Sequence, residues 1–232
     1  MVLFPYAGAG PSAFRDWRGE VPANVDLIAA AYPGRELRAR EPLHSSLGAL
    51  ADEIAGALLP LSDIPSVLFG HSMGAYVAYE VAQRLAAAGT PPRCLVVSAA
   101  RSPTALDDRF LRDLPDGEFL ESLAKLNGFA PEILASPAMM DLALPVLRAD
   151  ISTCETHRFG TVGAMRLPIV ACAGRLDERA PPAAVRAWHA LAGPFEFIQF
   201  DGDHFFLRQE AGTLTRLLAS RMQPHTDTDV HE

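Results

Sequence analysis

Three side chains that lie far apart in the sequence could together perform nucleophilic catalysis. Ser72 is the centre of a Gly-x-Ser-x-Gly motif at residues 70–74, which follows a short apolar run and precedes a helical pattern of small residues. Such a strand, turn and helix form a nucleophile elbow, in which glycines permit a turn too tight for any Cβ and the serine hydroxyl is exposed. Serine is a poor nucleophile at neutral pH unless an imidazole takes its proton and a carboxylate orients that imidazole. We therefore expect a histidine and an acid elsewhere in the chain.

His204 is the predicted general base. In a fold built on this elbow, the acid and then the base follow the serine along the chain. His204 lies in a loop directly after a strand-like run at residues 195–200, where a late-strand base belongs. His44 precedes the serine, and His71 adjoins it and points away. The remaining histidines lie at a helix end, within a helix or in a polar tail: His157, His189, His225 and His231.

Asp177 is the favoured acid, because it follows the strand-like run that begins at residue 167 and can lie beside the His204 loop. Asp107 and Asp108 stay open as alternatives, since the acid in this arrangement sometimes follows the preceding strand. Either choice preserves the mechanism and changes only which variant should fail. Three further acids are interpreted as loop or capping residues: Glu178, Asp201 and Asp203.

A loop of small residues at positions 5–10, Pro-Tyr-Ala-Gly-Ala-Gly, follows the first short strand. In hydrolases with this elbow, such a loop supplies one backbone N–H of the oxyanion hole, and the residue after the nucleophile supplies the other. We expect these donors to be Ala7 and Met73. Tyr6 is the next candidate on the loop and a candidate substrate-binding residue. An ordinary tight turn is the alternative interpretation of this segment.

Strand and helix patterns alternate along most of the chain. This alternation predicts an α/β fold with a mostly parallel central sheet and helices on both faces. The predicted strands are residues 2–4, 25–32, 67–71, 94–99, 167–173 and 195–200, and the predicted helices are residues 47–61, 73–88, 181–191 and 209–222.

The alternation stops at residues 107–157, where only helical patterns occur. We interpret this stretch as an inserted helical lid between core segments 1–106 and 158–223, followed by a disordered tail at 224–232. The apolar helix faces either roof the active site and line an acyl channel or simply pack on the sheet. Three prolines are expected to divide the insertion into short pieces, and Pro145 to break or kink a helix: Pro131, Pro137 and Pro145.

Composition limits the possible partners. The 232 residues carry a formal charge of −8 and are 49% hydrophobic, which predicts one globular domain and argues against nucleic-acid or membrane surfaces. No apolar run approaches the ~20 residues that span a bilayer, and no export signal is evident. The three cysteines have no metal-like spacing and are expected to be reduced thiols in a cytoplasmic protein. No metal site is predicted.

Nearly the whole chain resembles the type II thioesterases, discrete editing enzymes of the α/β-hydrolase superfamily that accompany polyketide and nonribosomal peptide synthetases. Five blocks carry the resemblance: Phe-Pro-Tyr-Ala-Gly at 4–8, Tyr-Pro-Gly-Arg at 32–35, Leu-Phe-Gly-His-Ser-Met-Gly-Ala at 68–75, Leu-Pro-Val-Leu-Arg-Ala-Asp at 144–150 and His-Phe-Phe-Leu at 204–207.

The resemblance implies hydrolysis of acyl groups from the phosphopantetheine arm of acyl or peptidyl carrier proteins, or of acyl-CoA, through an acyl-serine intermediate. It also implies a Ser72, Asp177 and His204 triad, a mobile lid, and no cofactor beyond the phosphopantetheine that the substrate carries. Carrier proteins are generally acidic, so docking on an acidic enzyme needs local cations. The candidates are Arg35, Arg38, Arg40, Arg101 and Arg109.

The chain departs from the family pattern at three places. Only three residues precede the loop block, where another strand is usual, and Arg175 and Asp203 occupy positions where glycine is common. Asp203 could compete with Asp177 for the imidazole. Alternatives to a thioesterase are a carboxylesterase or acyltransferase on the same fold, or a catalytically silent binding module.

Overall fold

A six-stranded parallel sheet is the frame of the molecule. The computed structural model describes residues 1–126, 136–160 and 166–222. The strands run in the order β2-β1-β3-β4-β5-β6, and every neighbouring pair is parallel. They are β1 (Val2–Phe4), β2 (Ile28–Ala29), β3 (Val67–His71), β4 (Cys94–Ser98), β5 (Ile169–Gly174) and β6 (Phe195–Phe200). The predicted α/β fold is confirmed.

Helices cover both faces of this sheet or lie in the insertion between β4 and β5. They are α1 (Leu47–Leu58), α2 (Met73–Ala87), α3 (Asp116–Ala124), α4 (Pro137–Thr156), α5 (Pro182–Arg186) and α6 (Ala211–Met222). Because successive strand side chains point to opposite faces, Leu68 packs in one core cluster with residues of α1 and α2, whereas Phe69 packs in the other with residues of α6. The two clusters hold the sheet rigidly from both sides.

The first half of the sheet differs from expectation. The predicted strand at residues 25–32 is wrong in length, since β2 spans only Ile28–Ala29 at the edge of the sheet. Its residues differ in burial: Ile28 is 40% exposed, whereas Tyr32 is fully buried and its hydroxyl donates to the Pro5 carbonyl. A 3-10 segment at Pro11–Glu20, which the pattern did not predict, places Phe14 and Trp17 against Phe69.

Helices α3 and α4 lie in the insertion between β4 and β5. They pack on each other through a separate small core of Phe119, Leu123 and Leu147. The predicted break at Pro145 is wrong, because α4 is a single helix of 20 residues that includes Pro145. Beyond this proline the helix is bound to the rest of the insertion, since Arg148 donates to the carbonyls of Arg112 and Leu114. Pro131 and the predicted tail lie outside the described residues.

Candidate active site

Two glycines shape the turn that carries Ser72. A Cβ on Gly70 would overlap the Gly74 carbonyl, and a Cβ on Gly74 would overlap the carbonyls of Phe4 and Pro5. Both positions therefore require glycine for steric reasons. Ser72 itself has φ +53° and ψ −120°, a conformation that side chains rarely adopt and that occurs at functional turns. The local sequence thus raises the serine above the carboxyl edge of β3.

His204 lies within reach of Ser72. Its Nε2 is 3.1 Å from Ser72 Oγ, so the ring can accept the hydroxyl proton. Its Nδ1 is 2.8 Å from Asp177 Oδ2, which fixes the ring orientation and leaves Nε2 as the acceptor. The two residues, His204 and Asp177, are each only 3% exposed. The three side chains form one continuous hydrogen-bonded series.

The loop that carries the acid is held by its own backbone and lies directly against the loop that carries the base. Asp177 Oδ1 accepts hydrogen bonds from the N–H groups of Arg179 and Ala180, each at 2.9 Å. Gly174 ends β5 directly against the histidine loop, and a Cβ there would overlap the Asp203 carbonyl. Glycine at this position therefore sets the approach of Asp177 to His204.

The other acids near the site have different partners. Asp107 is 2.8 Å from Arg101 and 2.7 Å from Arg109, and these two arginines contribute to lowering its pKa against the effect of burial. Asp203 accepts the Phe205 N–H at 2.8 Å. Asp201 pairs with Arg175, Asp108 lines the cleft beside Ser72, and the Glu178 carbonyl accepts from Arg109.

His71 is a buried histidine directly behind the base. A 2.9 Å hydrogen bond joins its Nδ1 to Ser98 Oγ, and its ring packs 5.5 Å from that of His204. Burial, followed by the proximity of His204, lowers the pKa of His71 well below 6.5. A neutral ring at this position adds no charge repulsion when His204 takes a proton.

The predicted oxyanion donors border the nucleophile. Met73 is the first residue of α2, so its N–H has no acceptor within the helix. Ala7 lines the cavity with Met73 and Ser72. Tyr6 lies beside them, with its ring 5.8 Å from His71 and 5.0 Å from Phe205.

Two cavities meet at Ser72. One is a cleft of about 310 Å³ that contains both signs of charge, including Arg101, Arg109, Arg158 and Arg179. The other is an apolar cavity of about 70 Å³ beneath the insertion, lined chiefly by Tyr6, Leu111, Leu123, Leu126, Leu147 and Phe205. Both are bordered by Ser72 and His204.

One cluster beside the site is not predicted from the sequence as a unit. Asp150 of α4 binds Arg35, His44 and the Gly8 N–H. Arg35 is only 7% exposed, so its interpretation as a docking residue on the surface is wrong. One feature of the sequence could have indicated this cluster: Asp150 is a lone acid beside the apolar residues Leu147 and Ile151. A carboxylate on an apolar helix face is buried and needs a hydrogen-bonding partner on the facing element. His44, excluded as the base because it precedes the serine, is a partner of this carboxylate.

Comparison with known proteins places this geometry in a family. The thioesterase domain model matches residues 1–222. The chain is 32% identical over 225 residues to a probable cadicidin biosynthesis thioesterase of Streptomyces griseus. The match covers 97% of this chain and 62% of that protein.

Two solved structures are similar over almost their full length. RedJ, a thioesterase of the prodiginine pathway in Streptomyces coelicolor, has a TM-score of 0.88 and 36% identity, covering 95% of this chain and 89% of RedJ. YbtT, a type II thioesterase of the yersiniabactin pathway, has a TM-score of 0.85 and 31% identity, covering 96% of this chain and 93% of YbtT. From its sequence, its fold and the arrangement around Ser72, this chain belongs to the thioesterase family.

Proposed function

We propose that this protein is a serine thioesterase that hydrolyses acyl groups from the phosphopantetheine arm of acyl or peptidyl carrier proteins. In doing so it frees synthetase modules that carry misprimed or stalled chains. The hydrogen-bonded series from Asp177 through His204 to Ser72 is the observation that carries the proposal. Family membership and the biosynthetic relatives support a thioester as the bond that is cleaved.

The proposed reaction has two steps. Ser72 Oγ attacks the thioester carbonyl while His204 Nε2 takes its proton, and the N–H groups of Met73 and Ala7 stabilise the oxyanion. The pantetheine thiol then leaves with the proton from His204, which yields an acyl-serine. Water then attacks the acyl carbonyl while His204 takes its proton, and as the bond to Ser72 Oγ breaks that proton passes to Oγ, which releases the acid and restores the enzyme. Since a thiol leaves easily, stabilisation of the oxyanion matters more for the rate than protonation of the leaving group. One hydrogen-bond donor lowers the activation free energy by ~3–4 kcal/mol.

The two cavities suit the two halves of this substrate. The apolar cavity accepts the acyl group, with Tyr6 on its wall, and the charged cleft accepts the polar pantetheine arm. Helices α3 and α4 form the roof of the apolar cavity, which supports the interpretation of residues 107–157 as a lid. The protein needs no cofactor of its own in this mechanism, because the phosphopantetheine arrives with the substrate.

A carrier protein would dock at the mouth of the cleft. Its acidic surface and phosphate meet the arginines that line the cleft, of which Arg109 and Arg158 are exposed. Carrier proteins and their synthetases work in the cytoplasm, and the three unpaired cysteines fit that compartment. No helix in the described ranges is long and apolar enough to cross a membrane.

The decisive experiment offers the purified protein acyl-loaded carrier proteins of varied chain length and identifies the released acids by mass. Ser72→Ala is the matched control. We expect release by the wild type and none above background by the variant, in which a fluorophosphonate probe also fails to label. Equal labelling of both proteins would contradict the proposal.

Two further comparisons separate the rival functions. Faster hydrolysis of acyl-pantetheine thioesters than of matching oxygen esters identifies a thioesterase, and the reverse identifies a carboxylesterase. Acyl transfer to an added thiol or alcohol in preference to water identifies an acyltransferase. A binding module would retain the carrier protein without releasing any acid.

A further inference from the structure

A carboxylate on the insertion is fully satisfied by groups of the core. Asp150 on α4 has a side chain with no exposed area. Its Oδ2 accepts the Gly8 N–H at 2.7 Å and one arginine nitrogen of Arg35, and its Oδ1 accepts Arg35 Nη2 at 2.8 Å and His44 Nε2 at 2.9 Å. Four donors therefore hold one carboxylate in a fixed orientation.

These bonds converge on the loop that carries Ala7. The Ala9 N–H donates to the Tyr6 carbonyl at 3.0 Å, and since a peptide unit is planar, this bond sets the direction of the Ala7 N–H. The next peptide unit is fixed by the Gly8 N–H bond to Asp150. The two peptide units that flank Ala7 are thus both held.

Two more contacts bind the same loop to the same neighbours. Arg35 Nη1 donates to the Ala9 carbonyl at 3.4 Å, so the arginine that neutralises Asp150 also touches the loop. Leu147, one turn before Asp150 on α4, closes over Gly8, where an added Cβ would lie 2.5 Å from Leu147 Cδ2. The loop is clamped by one face of α4.

Stability alone explains this arrangement poorly. A buried ion pair contributes little net stability on average, because desolvation of the charges cancels most of their attraction, and an apolar replacement is often neutral. What the carboxylate provides and an apolar residue cannot is an acceptor for the Gly8 N–H at a fixed position. Because the Gly8 N–H belongs to the peptide unit next to Ala7, this acceptor points to a role at the oxyanion hole.

We propose that Asp150 is a positioning residue for hydrolysis: from α4 it holds the Ala7–Gly8 peptide unit and, together with the Ala9 N–H bond that orients the Tyr6–Ala7 unit, fixes Ala7 on both sides so that its N–H faces the oxyanion. Placement of this donor then depends on α4 being seated on the core, which links the insertion to the chemistry at Ser72. The inference rests on the proposed thioesterase function and adds the residue that prepares its oxyanion hole.

Asp150→Asn tests this inference, because the amide keeps the shape but replaces one acceptor with a donor. We expect kcat on an acyl-pantetheine substrate to fall about 10- to 100-fold with KM within about twofold, since misplacing one donor removes part of the stabilisation that exists only in the transition state. A boronic acid that forms a tetrahedral adduct with Ser72 should bind weaker by the same factor. A non-hydrolysable acyl-pantetheine thioether should bind equally well to both proteins.

The matched control is Asp116→Asn, which removes an exposed ion pair between Arg148 of α4 and the start of α3 without touching the loop. It should leave both inhibitor affinities and kcat unchanged. If Asp150→Asn does not fold, His44→Leu replaces it, since that change removes one of the four bonds, and His44→Gln, which retains a donor, should restore activity.

Unchanged kcat in folded Asp150→Asn, or equal weakening of the boronic acid and the thioether, would overturn the positioning role. A wild-type protein that hydrolyses no thioester would instead overturn the proposed function, so the two failures are distinguishable.

Discussion

Asp177 and Asp107 both lie near Ser72, but their hydrogen bonds assign them different tasks. Asp177 orients the imidazole of His204, whereas Asp107 neutralises two arginines. Asp177→Asn keeps the size but presents an N–H donor to Nδ1, which favours the wrong tautomer. We expect kcat/KM for an acyl-pantetheine to fall about 10³- to 10⁴-fold.

The control for this prediction is Asp107→Asn, for which we expect less than about a tenfold change because it touches neither His204 nor Ser72. Steady-state rates normalised by active-site titration measure both. If Asp107→Asn lowered kcat/KM more than Asp177→Asn, Asp107 rather than Asp177 would be the acid of the triad.

His71 makes a prediction about stability and pH. Because burial lowers its pKa well below 6.5, the unfolded chain binds a proton below pH 6.5 that the folded protein does not. The free energy of unfolding should therefore fall as pH drops below 6.5, with His71 contributing up to about 1.4 kcal/mol per pH unit until the folded pKa is reached.

Urea unfolding between pH 7.5 and 4.5 tests this contribution. His71→Asn keeps a polar partner for Ser98 and should flatten the pH dependence, whereas His189→Asn, on an exposed side chain, should leave it as in the wild type. Identical slopes for all three proteins would show that His71 does not resist protonation.

The sequence identified the candidate side chains because the elbow motif at residues 70–74 and the loop after residues 195–200 are local signals. The acid was harder to assign, since Asp177 and Asp107 both follow strands and only packing separates them. Asp150 could not be assigned a role at all. Its partners Gly8, Arg35 and His44 lie more than 100 residues away in the sequence.

At the level of elements, the elbow depends on a close approach of backbone to backbone. Gly74→Ala would drive a Cβ into the carbonyls of Phe4 and Pro5, neither of which can move without displacing β1. We expect a loss of at least about 3 kcal/mol in the free energy of unfolding, or failure to fold.

Gly56→Ala is the control, since Gly56 lies inside α1 with nothing near its absent Cβ. It should stabilise the protein by about 0.5–1 kcal/mol, because alanine loses less backbone entropy in a helix. Urea unfolding of both variants gives the comparison. A Gly74→Ala protein as stable as the wild type would remove the steric explanation of the motif.

Elements defined by hydrophobic period were predicted best, and those defined by tertiary contacts worst. The sequence predicts β3, β4 and β5 as continuous apolar runs because they are buried on both faces, and it predicts β6 from apolar residues that alternate with the exposed Glu196 and Gln199. The short β2 and the unbroken α4 were not predicted. The apolar pattern of residues 25–32 predicts a longer strand and Pro145 predicts a helix break. In both places, contacts with distant parts of the chain determine the structure instead.

At the scale of the whole molecule, a charge of −8 would oppose the approach of the acidic carrier protein that the proposed function requires. Attraction must then come from the cleft, where Arg158 is exposed and pairs with no carboxylate of the described residues. Arg158→Glu should raise KM for an acyl carrier protein about tenfold, through the loss of a local charge contact. It should not change KM for acyl-N-acetylcysteamine, which lacks the phosphate and the carrier.

Arg15→Glu makes the same change of charge outside the cleft and should leave KM for the carrier within about twofold. Initial rates at fixed ionic strength measure each pair of substrates. Equal effects of the two substitutions would mean that overall charge, rather than the cleft, governs docking.

The backbone approach at Gly174 has a consequence for how related genes are interpreted. One nucleotide change in its codon, to alanine, would push the acid-bearing and base-bearing loops apart while every reacting residue stays in the alignment. A survey that classifies paralogues as active from their serine, aspartate and histidine alone would therefore include inactive copies. A glycine at position 174 should be required as well.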